Sequence, residues 1–230
     1  MTTVLITGAN RGIGLEFTTQ YLARGYRVIA TCRDLTQAQP LKALRAGIAD
    51  LMMVELDASR GESIAALPHA LKGEAIDIFI NNAGVYGPRD SYFGKVQAQP
   101  WLDVFQVNTI APLLLTQALM ENLADGKDRK LVYLTSKMGS IADNGGGGHY
   151  VYRSSKTALN SVVKSLAVDL AEQGFVAAVL HPGWVQTDMG GPNALIDTRT
   201  SVSGMLKVID GLAAEQTGGF FNYDGSALPW

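Results

Sequence analysis

Tyr152 and Lys156 stand four residues apart, a spacing that puts both side chains on one face of a helix. A tyrosine hydroxyl titrates near about 10, too high to trade protons readily at neutral pH. An ammonium beside it favours the phenolate and lowers that value, so the pair could form an acid/base centre. Tyr150 competes for the role, but the residue four further on is uncharged Ser154. A second cluster lies near the N-terminus, in Thr7-Gly8-Ala9-Asn10-Arg11-Gly12-Ile13-Gly14. Here Gly8 would turn the chain sharply and Gly12 would let backbone amides approach a pyrophosphate. Gly14 would let the following helix pack tightly on its strand. The helix N-terminus adds free N–H groups and partial positive charge. The G-x-x-x-G-x-G spacing is a variant of the dinucleotide fingerprint. Taken alone, each cluster also has a plainer reading, as helix surface or as a tight turn.

The residues after the second apolar run bear on which dinucleotide fits. An NAD site usually offers an acid there to the ribose hydroxyls. This chain has Thr31-Cys32-Arg33, with Cys32 in the acid's place. A planar guanidinium suits a phosphate, and Arg11 in the glycine loop could clamp the same group as Arg33. NADP is therefore the expected cofactor, although Asp34 keeps NAD an option and both arginines could be plain surface residues. Asp57 could accept from the adenine amino group or cap the helix that follows.

These clusters need a frame. Short apolar runs at 4–7, 27–31, 51–55, 76–80, 130–135, 176–180 and 219–223 read as strands. Helical patterns at 15–24, 37–46, 63–71, 101–123, 152–173 and 202–214 lie between them. Strands apolar on both faces, alternating with helices, predict a Rossmann-type doubly wound parallel sheet in a three-layer α/β/α single domain. A small substrate lid is expected around 185–205. The run Gly145–Gly148 favours neither helix nor strand and reads as a flexible loop, either a surface insertion or a gate for substrate.

Composition narrows the function classes. The chain has 230 residues, 47% of them apolar and 17% charged, enough for one sizeable core. A net charge of −2 without a basic run argues against nucleic-acid binding. A single cysteine rules out an intramolecular disulfide, and the three histidines are too scattered for a zinc site. No signal-peptide pattern opens the chain, and no apolar stretch reaches roughly 18 residues, so a cytoplasmic protein without a membrane span is expected.

Six motifs in order resemble the short-chain dehydrogenase/reductase family over nearly the whole chain. They are Thr7–Gly14, Asn81-Asn82-Ala83-Gly84, Asn108, Ser136, Tyr152-x-x-x-Lys156 and Pro182-Gly183. The resemblance implies an oxidoreductase that moves a hydride between a nicotinamide and a carbonyl or alcohol carbon. Tyr152 would donate or accept the proton, and Lys156 would hold the ribose hydroxyls and bias Tyr152 toward the anion. Ser136 would hold the substrate oxygen, and Asn108 would position a water that links Lys156 to solvent. Gly8, Asn10, Arg11, Gly12, Ile13, Gly14, Arg33 and Asp57 would bind the cofactor at one end. Asn81, Ala83, Gly84, Pro182, Gly183, Val185 and Thr187 would bind it at the other, with Tyr152 and Lys156. Asn81-Asn82 could instead be turn formers, Ser136 a local cap and Asn108 a kink residue.

Two departures from the family pattern stand out. Ser136 and Tyr152 are sixteen residues apart, and the usual shorter gap would fall on His149. The glycine run can absorb the difference, leaving Thr135 and Ser140 as alternatives to Ser136. The stretch after Pro182-Gly183 is short, which resembles a carbonyl-reductase-like branch that includes C-factor-like proteins. Tyr86, Phe93, Met138, His149, Trp184 and Met189 would wall a pocket for a small aliphatic or aromatic carbonyl compound. Arg89 is a weak candidate for a substrate carboxylate. The resemblance also implies a homodimer or homotetramer. A dinucleotide-binding signalling protein of the same fold is the rival reading.

Overall fold

The computed structural model describes residues 1–230. The chain alternates strand and helix from β1 (Thr3–Ile6), α1 (Gly12–Ala23), β2 (Arg27–Cys32), α2 (Gln39–Arg45) and β3 (Leu51–Glu55) to α3 (Gly61–Leu71) and β4 (Ile78–Asn81). It continues through α4 (Ala98–Phe105), α5 (Ala111–Ala118), α6 (Met120–Ala124), β5 (Lys130–Leu134) and α7 (Tyr150–Asp169), then β6 (Val176–His181), α8 (Thr198–Gly211) and β7 (Gly219–Asn222). All seven strands are parallel, in the order β3-β2-β1-β4-β5-β6-β7. The sequence-based expectation of a doubly wound sheet holds.

Alternation along each strand splits the core into two layers. Val4 and Ile6 face the side covered by α1, α2 and α8, where they meet Phe17, Tyr21, Leu41, Met205 and Ile209. Leu5 and Phe79 face the side covered by α3, α5 and α7, among Ile64, Leu67, Leu115, Leu159 and Val163. The buried positions of α7 recur at helical spacing: Tyr152, Ser155, Lys156, Leu159, Asn160, Val163, Leu166 and Ala167. One stripe thus serves as core at its C-terminal end and as site at its N-terminal end. Strand order reverses between β1 and β4, which opens a crevice at the C-terminal ends of the strands.

Several helix boundaries differ from the periodicity. The single helix expected over 101–123 is broken by a π-helical turn, Gln106–Ile110, and again between α5 and α6. Pro112 has no N–H for the carbonyl four residues back, that of Asn108, so the regular ladder is interrupted there. Helix α7 begins at Tyr150, two residues before the expected start, and α8 begins at Thr198, where the Asp197 carboxylate accepts from Thr200 N at 2.7 Å. One face of α8 is core: Ser201, Val202, Met205, Leu206 and Ile209 are buried. The segment between β6 and α8 is a loop pinned by one bridge between Val185 and Ile196. No helix is long and apolar enough to cross a membrane.

Candidate active site

The glycine loop hangs between two strand ends. Thr7 N donates to Ile80 O at 3.0 Å and Ala9 N to Thr31 O at 2.9 Å. Gly8 and Gly12 both take left-handed backbone, with φ of 64° and 54°. Gly14 marks the tightest approach: a Cβ there would lie 2.3 Å from Gly8 O and 2.6 Å from Asn82 Nδ2. Gly12 opens α1 and places the helix N-terminus at the crevice. The crevice is a cleft of about 640 Å³, within the size range of ligand sites.

Most of the expected residues line this cleft. Gly8, Asn10, Arg11, Gly12, Ile13, Arg33, Asp57, Ala83, Gly84, Tyr152, Lys156, Pro182 and Thr187 are on its wall. Asn81 is not. It is buried at the end of β4, while Asn82 reaches the cleft and donates to Thr7 O and Gly8 O at 2.8 and 3.1 Å. Asn82 lies just past the end of β4, where its amide bridges to the glycine loop. Gly14, Gly183 and Val185 shape the wall from behind; a Cβ on Gly183 would meet Ile196 at 2.7 Å. Thr7 belongs with the site although only its motif pointed to it, because its hydroxyl accepts from Ala83 N at 2.9 Å.

At the adenosine end expected for the cofactor, Arg33 is exposed and makes no ion pair. Arg11 differs from the expectation of a free clamp, because it pairs with Asp188 across the cleft mouth. Asp57 accepts from both the amide and the hydroxyl of Ser59, at 2.9 and 2.6 Å. Burial favours a rise in its titration, but these bonds outweigh it and hold the carboxyl below the usual range. Helix α3 begins beyond it, with Arg60 as its N-cap, so Asp57 caps no helix.

The inner end holds Tyr152 and Lys156, which are 7% and 5% exposed. Burial pushes the Tyr152 phenol up to about 12; the nearby Ser136 hydroxyl opposes the rise and neighbouring Tyr86 adds to it. Burial alone pulls Lys156 down to about 8. Lys156 Nζ stands 6.0 Å from the phenol ring centroid and donates to Leu134 O at 2.8 Å.

The competing hydroxyls have other partners. Thr135 donates to Asn160 Oδ1 at 2.6 Å and Ser140 to Trp230 O at 3.2 Å, which leaves Ser136 for the phenol. Ser136 also accepts from Met138 N at 3.1 Å, as the cap of a short 3-10 turn. Asn108 lies behind the wall, in the π-helical turn. Its amide bonds both Val85 N and Val85 O, at 2.9 and 2.8 Å, and donates to Ser155 Oγ at 3.0 Å. Gly84 permits this convergence, because a Cβ there would sit 3.3 Å from Asn108 Oδ1 and 3.5 Å from Lys156 Nζ.

Of the expected substrate wall, Tyr86 stacks on Tyr152, His149 bonds Tyr86, and Met189 lines the cleft. Phe93 is 91% exposed, and half-exposed Trp184 donates to Gly190 O at 2.8 Å. Arg89 donates to Met189 O at 3.2 Å.

A glycine cradle at a sheet's switch point, with a buried tyrosine, lysine and serine at its inner end, defines a dinucleotide-binding oxidoreductase. Residues 2–195 match the family model described as short chain dehydrogenase. The carbonyl reductase Sniffer of D. melanogaster is 36% identical and superposes with a TM-score of 0.94 over 100% of both chains. The NADPH-bound carbonyl reductase from chicken fatty liver is 35% identical, with a TM-score of 0.93 over 100% of this chain and 94% of that one. The C-signal of Myxococcus xanthus is 48% identical over 155 residues, covering 67% of this chain and 93% of that protein. The chain belongs to the short-chain dehydrogenase family.

Proposed function

We propose that the protein is an NADPH-dependent carbonyl reductase, with Tyr152 as the acid. The observation that carries this reading is the pair of buried Tyr152 and Lys156 on the cleft wall, with buried Ser136 beside the phenol.

The residues present fit a dinucleotide. Left-handed Gly8 and Gly12 keep the cradle free of side chains, the α1 N-terminus faces it, and unpaired Arg33 on the cleft wall would suit a 2′-phosphate. The reduced nicotinamide, when bound, supplies the hydride. Arg33, Asn10 and the amides around Gly12 would hold the phosphate end, and Asp57 would serve the adenine. Ala83, Gly84, Pro182 and Thr187 line the nicotinamide end. Lys156, with one N–H given to Leu134 O, keeps its others for ribose hydroxyls. Ser136 donates to the substrate oxygen and steadies the charge growing there. Tyr152 delivers its proton to that oxygen, which completes the alcohol. Asn108 ties Val85 to α7 and holds the tyrosine–lysine face in register with the cleft wall.

The substrate is a small aliphatic or aromatic carbonyl compound that packs against Tyr86 and Met189. The loop between β6 and α8 serves as the lid, narrower than 185–205 because one face of α8 is core. Leu102, Ile110 and Leu114, left exposed from α4 to α5, suit a homodimeric or homotetrameric contact in the cytoplasm. Similarity to the C-signal covers two-thirds of the chain, whereas the carbonyl reductases match it end to end, which favours the enzyme over the signalling reading.

The test is NADPH consumption, followed by absorbance, with a panel of aliphatic and aromatic aldehydes and ketones. At least one compound should oxidise the cofactor. Tight NADPH binding with no turnover across the panel would overturn the proposal.

A further inference from the structure

Tyr86 walls the substrate but moves no proton in the chemistry just described, yet its ring lies on that of Tyr152, with centroids 4.4 Å apart and planes 22° from parallel. Its backbone is fixed on both sides. Val85 is gripped by the Asn108 amide, and Gly87, at φ 77°, is pressed so close to α4 that a Cβ would meet Val104 at 2.6 Å.

The outer edge of Tyr86 is held by a residue the sequence places oddly. The Tyr86 hydroxyl and His149 Nδ1 are 3.1 Å apart. His149 follows the glycine run and takes left-handed backbone, φ 47°, which a non-glycine residue adopts only where surroundings impose it. Those surroundings are visible. The Tyr92 ring lies 5.0 Å from the imidazole, Gly148 allows that ring close, and Tyr150 N donates to Ser91 O at 3.1 Å. Arg89 covers Tyr86 from 5.6 Å.

We propose that Tyr86 is a positioning residue for the acid Tyr152, locked by its hydrogen bond to His149. The glycine run before α7 then acquires a role, because it lets the chain deliver His149 to Tyr86. The Tyr86 ring fixes the Tyr152 phenol against rotation and keeps water from its face. This rests on the acid role of Tyr152 given above. Burial, which holds the phenol's proton, depends in part on this ring.

The experiment compares Tyr86→Leu, Tyr86→Phe, His149→Phe and the double variant Tyr86→Phe/His149→Phe with the parent, using the best carbonyl substrate of the panel. NADPH affinity and thermal unfolding confirm each fold. Tyr86→Leu should lower kcat about tenfold at unchanged NADPH affinity. It should also move the onset of Tyr152 ionisation, read from the pH profile of alcohol oxidation and from 13C-tyrosine NMR, about one pH unit lower. Tyr86→Phe and His149→Phe should each cost roughly threefold in kcat, and the double variant no more than either. A parental kcat and pH profile in Tyr86→Leu would overturn the proposal, as would additive losses in the double variant. Should Tyr86→Leu fail to fold, the remaining three variants still decide through their additivity. A Tyr152→Phe variant separates the two levels. If it stays active, the acid role itself fails; if it is inactive while Tyr86→Leu behaves as the parent, only the positioning role fails.

Discussion

At the residue scale, the cofactor end turns on which arginine is free. Arg33 is exposed and unpaired, whereas Arg11 is engaged by Asp188, so the two are not equivalent clamps. That pair is two-thirds to three-quarters exposed and screened by solvent, so a 2′-phosphate could compete for Arg11 at small cost. Arg33→Ala should weaken NADPH binding about tenfold or more and leave NADH within about twofold, because a charge-assisted bond to phosphate is lost in one case only. Fluorescence titration with both cofactors checks it, and equal losses would remove the phosphate contact from the account. The sequence carried this end well, since Cys32 in the acid's place and Arg33 beyond it were legible from strand position alone. It was silent on Asp188, which lies 177 residues from its partner.

At the element scale, what positions the site is close backbone approach. Gly14 brings α1 against the glycine loop and Asn82, so Gly14→Ala should push helix and loop apart. The expected cost is about 1–3 kcal/mol in stability, with NADPH affinity falling alongside. A variant with parental unfolding temperature and affinity would contradict this. Strand positions and fold class were legible because apolar runs buried on both faces leave little choice of period. Helix interruptions were less so. The break at Gln106–Ile110 comes from Pro112, a signal present in the sequence, but periodicity runs through it unaltered. The Asn81-Asn82 motif does not by itself say which amide reaches the glycine loop; that depends on where β4 ends, at Asn81. The Tyr86–His149 contact had no local signal, since 63 residues separate its members and only the fold brings them together.

At the scale of the whole molecule, the sheet's C-terminal edge gathers the chemistry and also a stability cost. His181, at the end of β6, is pulled down to about 4 from 6.5 by burial, with Lys137 adding to the shift and Asp143 opposing it, and its Nδ1 has no partner. The folded protein therefore holds it neutral, and the unfolded chain binds the extra proton first. Stability should be full above about pH 6.5 and fall by about 3 kcal/mol as pH drops toward 4. His181→Phe should flatten that part of a plot of unfolding temperature against pH; an unchanged slope would assign the acid loss elsewhere. The same edge brings Tyr152 and Lys156 onto the wall of one cleft, with Ser136 beside the phenol, and the central claim is that Tyr152 moves the proton there. The most direct measurement is kcat of Tyr152→Phe beside its NADPH affinity, since only the phenol oxygen is removed. Parental NADPH binding with kcat down about a thousandfold is expected. Turnover near the parent's, with the cofactor still bound, would contradict it.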